Sequence, residues 1–252
     1  MPLLVKKTKE RLLRMHYEAG IGHIGGNLSC LDIMLALHHR VMSEDDVFVL
    51  SKGHAVGALY VTLWSRGVLT DEDLATFHGE GTRLSGHPPV QGIPEIVFAT
   101  GSLGHGIGLA AGVALGKKLR SLPSRVFCLT SDGEWNEGSS WESLIFAAHH
   151  KLDRLTIIVD QNGLQGFGST REVADIGPLA DKFRAFGVPA MEIDGHDPEA
   201  IEEALRDGSS YGPNALIART VKGHGISFME NRMEWHYLPM TEAQYRQALS
   251  EI

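Results

Sequence analysis

The chain has 252 residues, 43% of them apolar and 21% charged, enough for one substantial core and typical of a folded globular protein. A formal net charge of −8 argues against a nucleic-acid or anionic-membrane surface, and the charged, helix-patterned first twenty residues read as neither a signal peptide nor a membrane span. Only Cys30 and Cys128 occur, one in a helical pattern and one in an apolar run. Both are expected to be buried thiols in a cytoplasmic protein, and with no paired CxxC elements and no HExxH, structural zinc is not expected.

In chain order, residues 3–18 place apolar and basic positions at helical spacing and stop at Gly20, an apt C-cap. A glycine-rich loop follows, Gly22-His23-Ile24-Gly25-Gly26-Asn27-Leu28. Ser29, with Asp32 three residues on, is expected to cap a helix running to residue 40. Taken alone, His23 reads as a turn residue facing solvent. Residues 47–50 form a brief strand, followed by Ser51-Lys52-Gly53-His54 and an apolar helix from 55 to about 64. Asp71 is expected to cap a short polar helix reaching Phe77, and residues 79–95, carrying Ser85-Gly86-His87-Pro88, form an extended surface loop. Thr100-Gly101-Ser102-Leu103-Gly104-His105-Gly106 opens a helix through residue 119, whose Gly and Ala content implies close packing.

The chain is organised around residues 125–165. A buried strand (125–130), a helix opening on a Ser139-to-Glu142 capping box, and a second buried strand (155–159) make a βαβ unit with parallel strands. Leu144, Ile145, Ala147 and Ala148 give the helix its apolar face. Asp132 lies just past the first strand and Asn162 just past the second. On neighbouring strands, about 4.8 Å apart, both would overhang one crevice at the carboxyl edge of the sheet, where open α/β folds bind ligands. The helix N-terminus behind Gly138 would face the same crevice and suits a phosphate. Singly, Asp-Gly and Asn-Gly are ordinary turn dipeptides; together, at the ends of two strands of one unit, they point to a site.

Residues 178–187 form an amphipathic helix closed by Gly187, and 190–193 a strand. Asp194-Gly195-His196-Asp197 is a turn capping a helix over 198–206. A last strand spans 214–221, and after an irregular stretch to His236 a helix begins at Thr241 with Gln244 completing a capping box. Strands alternate with helices throughout. The expected fold is α/β, a doubly wound, mainly parallel sheet flanked by helices, as one domain over residues 1–252.

Ser131-Asp132-Gly133 and, about thirty residues on, Gln161-Asn162-Gly163 resemble the thiamine-diphosphate motif, with Ser131 in place of its first glycine. The order GHIGGNLS, SKGHA, SGHP, TGSLGHG and then that motif resembles the N-terminal half of transketolase over nearly the whole chain. The resemblance implies the thiamine-diphosphate-binding fold, with thiamine diphosphate and Mg²⁺ as cofactors. It implies that Asp132, Asn162 and the Leu164 carbonyl hold the metal, with Asp160 an acid beside it. His54 and His236 are then expected at the diphosphate or the reacting carbonyl, and His23 and His87 at the hydroxyls of a donor sugar. Gly101, Ser102 and Leu103 would contact the cofactor's aminopyrimidine side, as would His105, where many relatives carry Gln. Gly133 and Glu134 complete the cofactor-binding set, and Glu137 would face a partner's catalytic glutamate. Of the remaining histidines, His38, His39, His149 and His150 pair on helices and are expected to be surface or packing residues.

In transketolases that catalytic glutamate lies on a second domain, which the chain up to Ile252 is expected to lack. The implied protein is one subunit of a split transketolase, moving a two-carbon ketol unit from a ketose phosphate to an aldose phosphate. A separate C-terminal, pyrimidine-binding subunit would complete it, in a heterotetramer. Two alternatives stand beside this reading: a subunit of a 2-oxo-acid-decarboxylating thiamine-diphosphate enzyme, and a non-catalytic cofactor-binding regulatory protein.

Overall fold

The computed structural model describes residues 1–90, 92–206 and 211–252, so Gln91 of the expected 79–95 loop lies outside the described residues. The strands are β1 (Val47–Leu50), β2 (Val126–Ser131), β3 (Leu155–Gln161), β4 (Leu164–Gln165), β5 (Gly168–Ser169), β6 (Ala190–Asp194) and β7 (Asn214–Arg219). Five of them form one parallel sheet in the order β1-β2-β3-β7-β6, and β4 and β5 form a small antiparallel hairpin. The helices are α1 (Pro2–Ala19), α2 (Ile24–Ala36), α3 (Val56–Ser65), α4 (Asp71–Ala75), α5 (Gly106–Leu119), α6 (Gly138–His149), α7 (Thr170–Ala174), α8 (Leu179–Ala185), α9 (Pro198–Arg206) and α10 (Glu242–Glu251).

Because successive strand residues point to opposite faces, each apolar strand feeds two cores. Phe127, Leu129, Ile158 and Leu216 pack with α1, α2, α3 and α9 on one face. Cys128, Ile157, Val159 and Ile217 pack with α5, α6 and α8 on the other. The sheet is therefore doubly wound, as the alternation of elements predicts. Every residue of α2 is buried, which explains its all-round apolar character. Both cysteines are buried free thiols, and among the described residues no helix is long and apolar enough to cross a membrane.

Several helix starts differ from expectation. α2 begins at Ile24, not at Ser29, with His23 at its N-cap in the left-handed region (φ 64), and past Ala36 it continues as a π-helical turn from Leu37 to Val41. Gly25 and Gly26 lie inside this helix, and at Gly25 neighbours press on it: a Cβ there would meet Lys222 and Trp235 at 3.2 Å. α4 is capped by Thr70, which forms a capping box with Asp73, so Asp71 is its first helical residue. α6 starts at Gly138 with Glu137 at the N-cap, which places Ser139 two positions past the cap. Ser140 Oγ instead donates to the Glu134 carbonyl at 3.0 Å. β7 ends at Arg219, two residues short of Val221. The capping box at Thr241 and Gln244 and the Gly20 C-cap (φ 63) are as expected.

Candidate active site

β2 and β3 run side by side in register, Ser131 opposite Asp160, so the residues that follow them emerge together at the carboxyl edge. The Asp132 carboxylate ties the two loops: Oδ1 accepts from Gly133 N at 2.8 Å and Oδ2 from Gly163 N at 2.6 Å. Asn162 Oδ1 accepts from Leu164 N at 3.1 Å. Asp132, Asn162 and Leu164 line one cavity of 280 Å³, together with Gly133, Glu137, Leu103, His54 and His236. Burial, and then the nearby negative charge of Asp160, push the Asp132 acid up to about 6. A buried carboxylate short of positive charge, beside an amide oxygen and a backbone carbonyl, is an oxygen-only donor set. It fits a hard divalent cation such as Mg²⁺.

Beneath this cavity lies a buried network. Lys52 and Asp160 are both wholly buried and form an ion pair. Asp160 also accepts from Ser29 Oγ at 2.6 Å and from the Thr220 hydroxyl, while Lys52 Nζ donates to the Gly26 carbonyl at 3.0 Å. Burial opposes both charges, yet the Asp160 carboxylate raises Lys52 above its ordinary value, and Lys52 with the two hydroxyls holds Asp160 below its own. Lys222, 2% exposed, reaches the cavity from the loop after β7. Its Nζ lies 3.0 Å from His236 Nδ1 and 3.4 Å from the Leu164 carbonyl oxygen, and burial followed by repulsion from Lys52 lowers it to about 8.

Above the cavity the predicted histidines come together. The His23 ring centroid lies 5.0 Å from His236, 5.7 Å from His54 and 6.5 Å from His87, and His54 lies 5.4 Å from His236. Desolvation depresses all four, His236 to about 3, so they are neutral near pH 7. Each then offers one N–H donor and one acceptor nitrogen. Because the Lys222 ammonium can only donate, His236 Nδ1 accepts and its proton sits on Nε2. His23 Nδ1 is buried with no partner among the described residues. Two glycines permit the assembly: a Cβ at Gly101 would lie 2.9 Å from the His87 ring, and one at Gly53 would lie 2.8 Å from the Thr100 backbone.

The remaining predicted residues separate. Gly101, Ser102 and His105 line an adjoining, more open cavity of 880 Å³ between the loop and α6, whereas Leu103 faces the metal-loop cavity. His105 is exposed, its Nδ1 3.1 Å from the Leu103 carbonyl oxygen. Glu137 is exposed at the rim. Glu134 turns inward, away from the cavity: wholly buried, it accepts from the Ser51 hydroxyl and from the backbone N–H of Gly104 (2.9 Å) and Ser131 (3.3 Å). It braces the loops rather than lining the space between them. His38 is buried against Phe48, His39 bonds Ser65, and His149 and His150 are exposed, in line with packing and surface roles. Lys52, Lys222 and Thr220 are site residues that sequence reasoning misses. The available signal is their position immediately after a strand, where Asp132 and Asn162 also stand.

Comparison with known proteins matches this architecture. Residues 8–251 match the family model described as transketolase, thiamine diphosphate binding domain. The chain is 38% identical over 263 aligned positions to one of the apulose-4-phosphate transketolase subunits, that of Phocaeicola vulgatus, covering 100% of this chain and 93% of that one. It is 37% identical to the 6-deoxy-6-sulfo-D-fructose transketolase subunit SqwG of Clostridium sp., covering 92% and 89%. The solved transketolase of Leishmania mexicana superposes with a TM-score of 0.86 at 25% identity, over 97% of this chain and 40% of that one. Fold, motif order and relatives agree, and the chain belongs to the transketolase family, whose thiamine diphosphate binding domain it carries.

Proposed function

We propose that residues 1–252 act as a single pyrophosphate-binding domain, the N-terminal subunit of a two-chain transketolase. In this reading it holds thiamine diphosphate through Mg²⁺, works in the cytoplasm, and transfers a two-carbon ketol unit from a ketose phosphate to an aldose phosphate. The observation that carries the reading is the convergence of Asp132, Asn162 and the Leu164 carbonyl on one cavity directly below four neutral histidines. Relatives named as subunits, matched over 89% to 93% of their own length, support a separate partner chain. That partner, a pyrimidine-binding subunit in a heterotetramer, would supply the glutamate opposite Glu137 and most grips on the sugar phosphate.

Bound thiamine diphosphate supplies a carbanion able to attack a ketose carbonyl and store the resulting charge. The chain's own residues bind and orient around it. Asp132, Asn162 and the Leu164 carbonyl would hold the metal, and Lys222 would add positive charge where a diphosphate must be neutralised. Leu103 and the Gly101 backbone would contact the aminopyrimidine side. His236, fixed by Lys222 with its proton on Nε2, would donate that hydrogen bond into the cavity, towards the oxygen that gains charge in the reaction. His54, in the same wall, can donate alongside it. His23 and His87, uncharged and hydroxyl-sized in reach, would hold the donor's hydroxyls and pass protons between them. Placing neutral imidazoles there keeps their acceptor nitrogens available for that transfer.

The test is reconstitution of the chain with its partner subunit, thiamine diphosphate and Mg²⁺. Ketose phosphates should be cleaved and their two-carbon unit appear on an aldose phosphate acceptor. Turnover of pyruvate but of no ketose would favour the decarboxylating class, and full ketol transfer by this chain alone would end the two-chain reading.

A further inference from the structure

The segment after β7 carries two residues of the active-site network, one on either side of Val221. Thr220 donates its hydroxyl to Asp160, and the Lys222 ammonium meets the Leu164 carbonyl at 3.4 Å and His236 Nδ1 at 3.0 Å. Both Lys222 contacts are to uncharged groups, and Lys52 repels the ammonium more strongly than either Asp132 or Asp160 attracts it. A buried charge so placed is held by its backbone rather than by its own attractions. On the C-terminal side, Gly223 N–H donates to the Gly25 carbonyl and Asn231 N–H to the Lys222 carbonyl, both at 2.9 Å. On the N-terminal side the holder is a side chain from another element: Val221 N–H donates to His196 Nε2 at 2.9 Å.

His196 sits in the turn between β6 and α9. Gly195 N–H donates to the Arg219 carbonyl at 2.7 Å and seats that turn on the end of β7, where a Cβ at Gly195 would run into Thr220. Behind the ring, Asp32 of α2 is 4% exposed and has its Oδ2 2.8 Å from His196 Nδ1. Because Nε2 accepts from a backbone N–H, it carries the lone pair, and the ring proton is on Nδ1, donated to Asp32. The His224 ring stacks on His196 at 3.5 Å and covers one face of it. Asp32, His196 and His224 bring ligand atoms within 4.8 Å of one another, which raises the alternative of a metal ion. The tautomer argues against it: a metal at Nδ1 would move the proton to Nε2 and set it against the Val221 N–H.

We propose that Asp32 and His196 are positioning residues for the active site: the Asp32 carboxylate fixes the His196 tautomer, His196 anchors the Val221 N–H, and the anchored peptide sets where Thr220 and Lys222 stand. Neither residue touches cofactor or substrate. The dyad ties α2, the helix that His23 caps, to the loop bearing Lys222, so both walls of the site share one anchor. The proposal rests on the functional reading above, since the place of Lys222 matters to binding only if a diphosphate enters the cavity.

The experiment has two arms. In the ligand-free wild-type chain, long-range proton–nitrogen NMR of the His196 ring should show the proton on Nδ1 and a bare Nε2; a proton on Nε2 overturns the proposal and needs no variant to fold. The second arm titrates the full chain calorimetrically with thiamine diphosphate at saturating Mg²⁺. His196→Leu should weaken binding about 10-fold, a loss typical of removing a group that orients a metal-site residue. His196→Gln, whose Oε1 can accept from the Val221 N–H, should recover most of that loss. In a Lys222→Met background the same His196→Leu change should cost less than about 3-fold, because the residue it positions is gone. Equal losses in the two backgrounds, or no loss in His196→Leu, would mean that the dyad serves the fold alone. A wild-type chain with no affinity for the cofactor would take away the functional reading and this proposal with it.

Discussion

Two buried carboxylates at the same sheet edge have opposite circumstances. Asp160 is surrounded by Lys52, Ser29 and Thr220 and is held in its charged form; Asp132, next to it, accepts only backbone N–H groups and is pushed towards its neutral form. The first is complete within the chain; the second, in the reading proposed above, is completed by a cation. The difference separates what holds the fold from what the fold is for. Removing a partner from a satisfied buried pair should cost stability, whereas removing the unsatisfied acid should cost binding and leave the fold intact.

That contrast can be broken most directly at Asp132. Asp132→Ala should lower Mg²⁺-dependent thiamine diphosphate affinity by about 100-fold or more, with the melting temperature of the ligand-free chain unchanged or raised. Calorimetric titration beside a thermal scan reads both, and a large loss of ligand-free stability would mean that Asp132 belongs with Asp160 after all. Lys52→Met should do the reverse. Stranding the Asp160 charge should cost about 3–5 kcal/mol in denaturant unfolding, because neither side chain reaches water.

Acid should sharpen the comparison elsewhere. His38 and His16 are buried neutral, depressed by desolvation to about 3 and about 4, and the His38 ring nitrogens have no partner among the described residues. Below an unfolded value near 6.5, the unfolded chain takes up a proton that the folded chain refuses. The contribution of these two rings should therefore be flat above pH 7 and fall by about 1.4 kcal/mol per pH unit for each ring as pH drops from 6.5 towards 4. His38→Leu should lower the slope of urea-unfolding stability against pH by about 1.4 kcal/mol per pH unit in that window. The smallest effect is expected at Phe167, 84% exposed at the tip of the β4–β5 hairpin over the cavity. Phe167→Ala should change stability by less than about 0.5 kcal/mol, so any loss of cofactor retention would be local to the hairpin.

What can be read from the sequence divides along similar lines. The central strands β2 and β3 are legible because a doubly covered parallel sheet writes them as apolar runs, and the motif residues because they sit at the ends of those runs, whereas the short β4–β5 hairpin carries no such run. The start of α2 is not legible either. Gly25 and Gly26 look like loop residues, and only the approach of Lys222 and Trp235 explains why the helix carries glycine at 25. Ser29 looks like a cap because nothing local reveals that its hydroxyl goes to a residue 131 positions away. Lys52 and Lys222 look like solvated strand ends, and their burial follows from tertiary packing alone. Glu134, beside the motif, reads as a cofactor contact, but three donors draw it inward.

Gly53 carries one more implication. Its Cα rests so near the Thr100 carbonyl that not even a methyl group could be admitted, which seats the turn bearing His54 directly on the segment bearing Gly101 and Leu103. Those two segments come from distant parts of the chain yet share one fulcrum. A displacement imposed on either, by a docking protein or an altered sugar, must be answered by the other, so attempts to re-engineer substrate choice through one alone should be frustrated unless both are redesigned together.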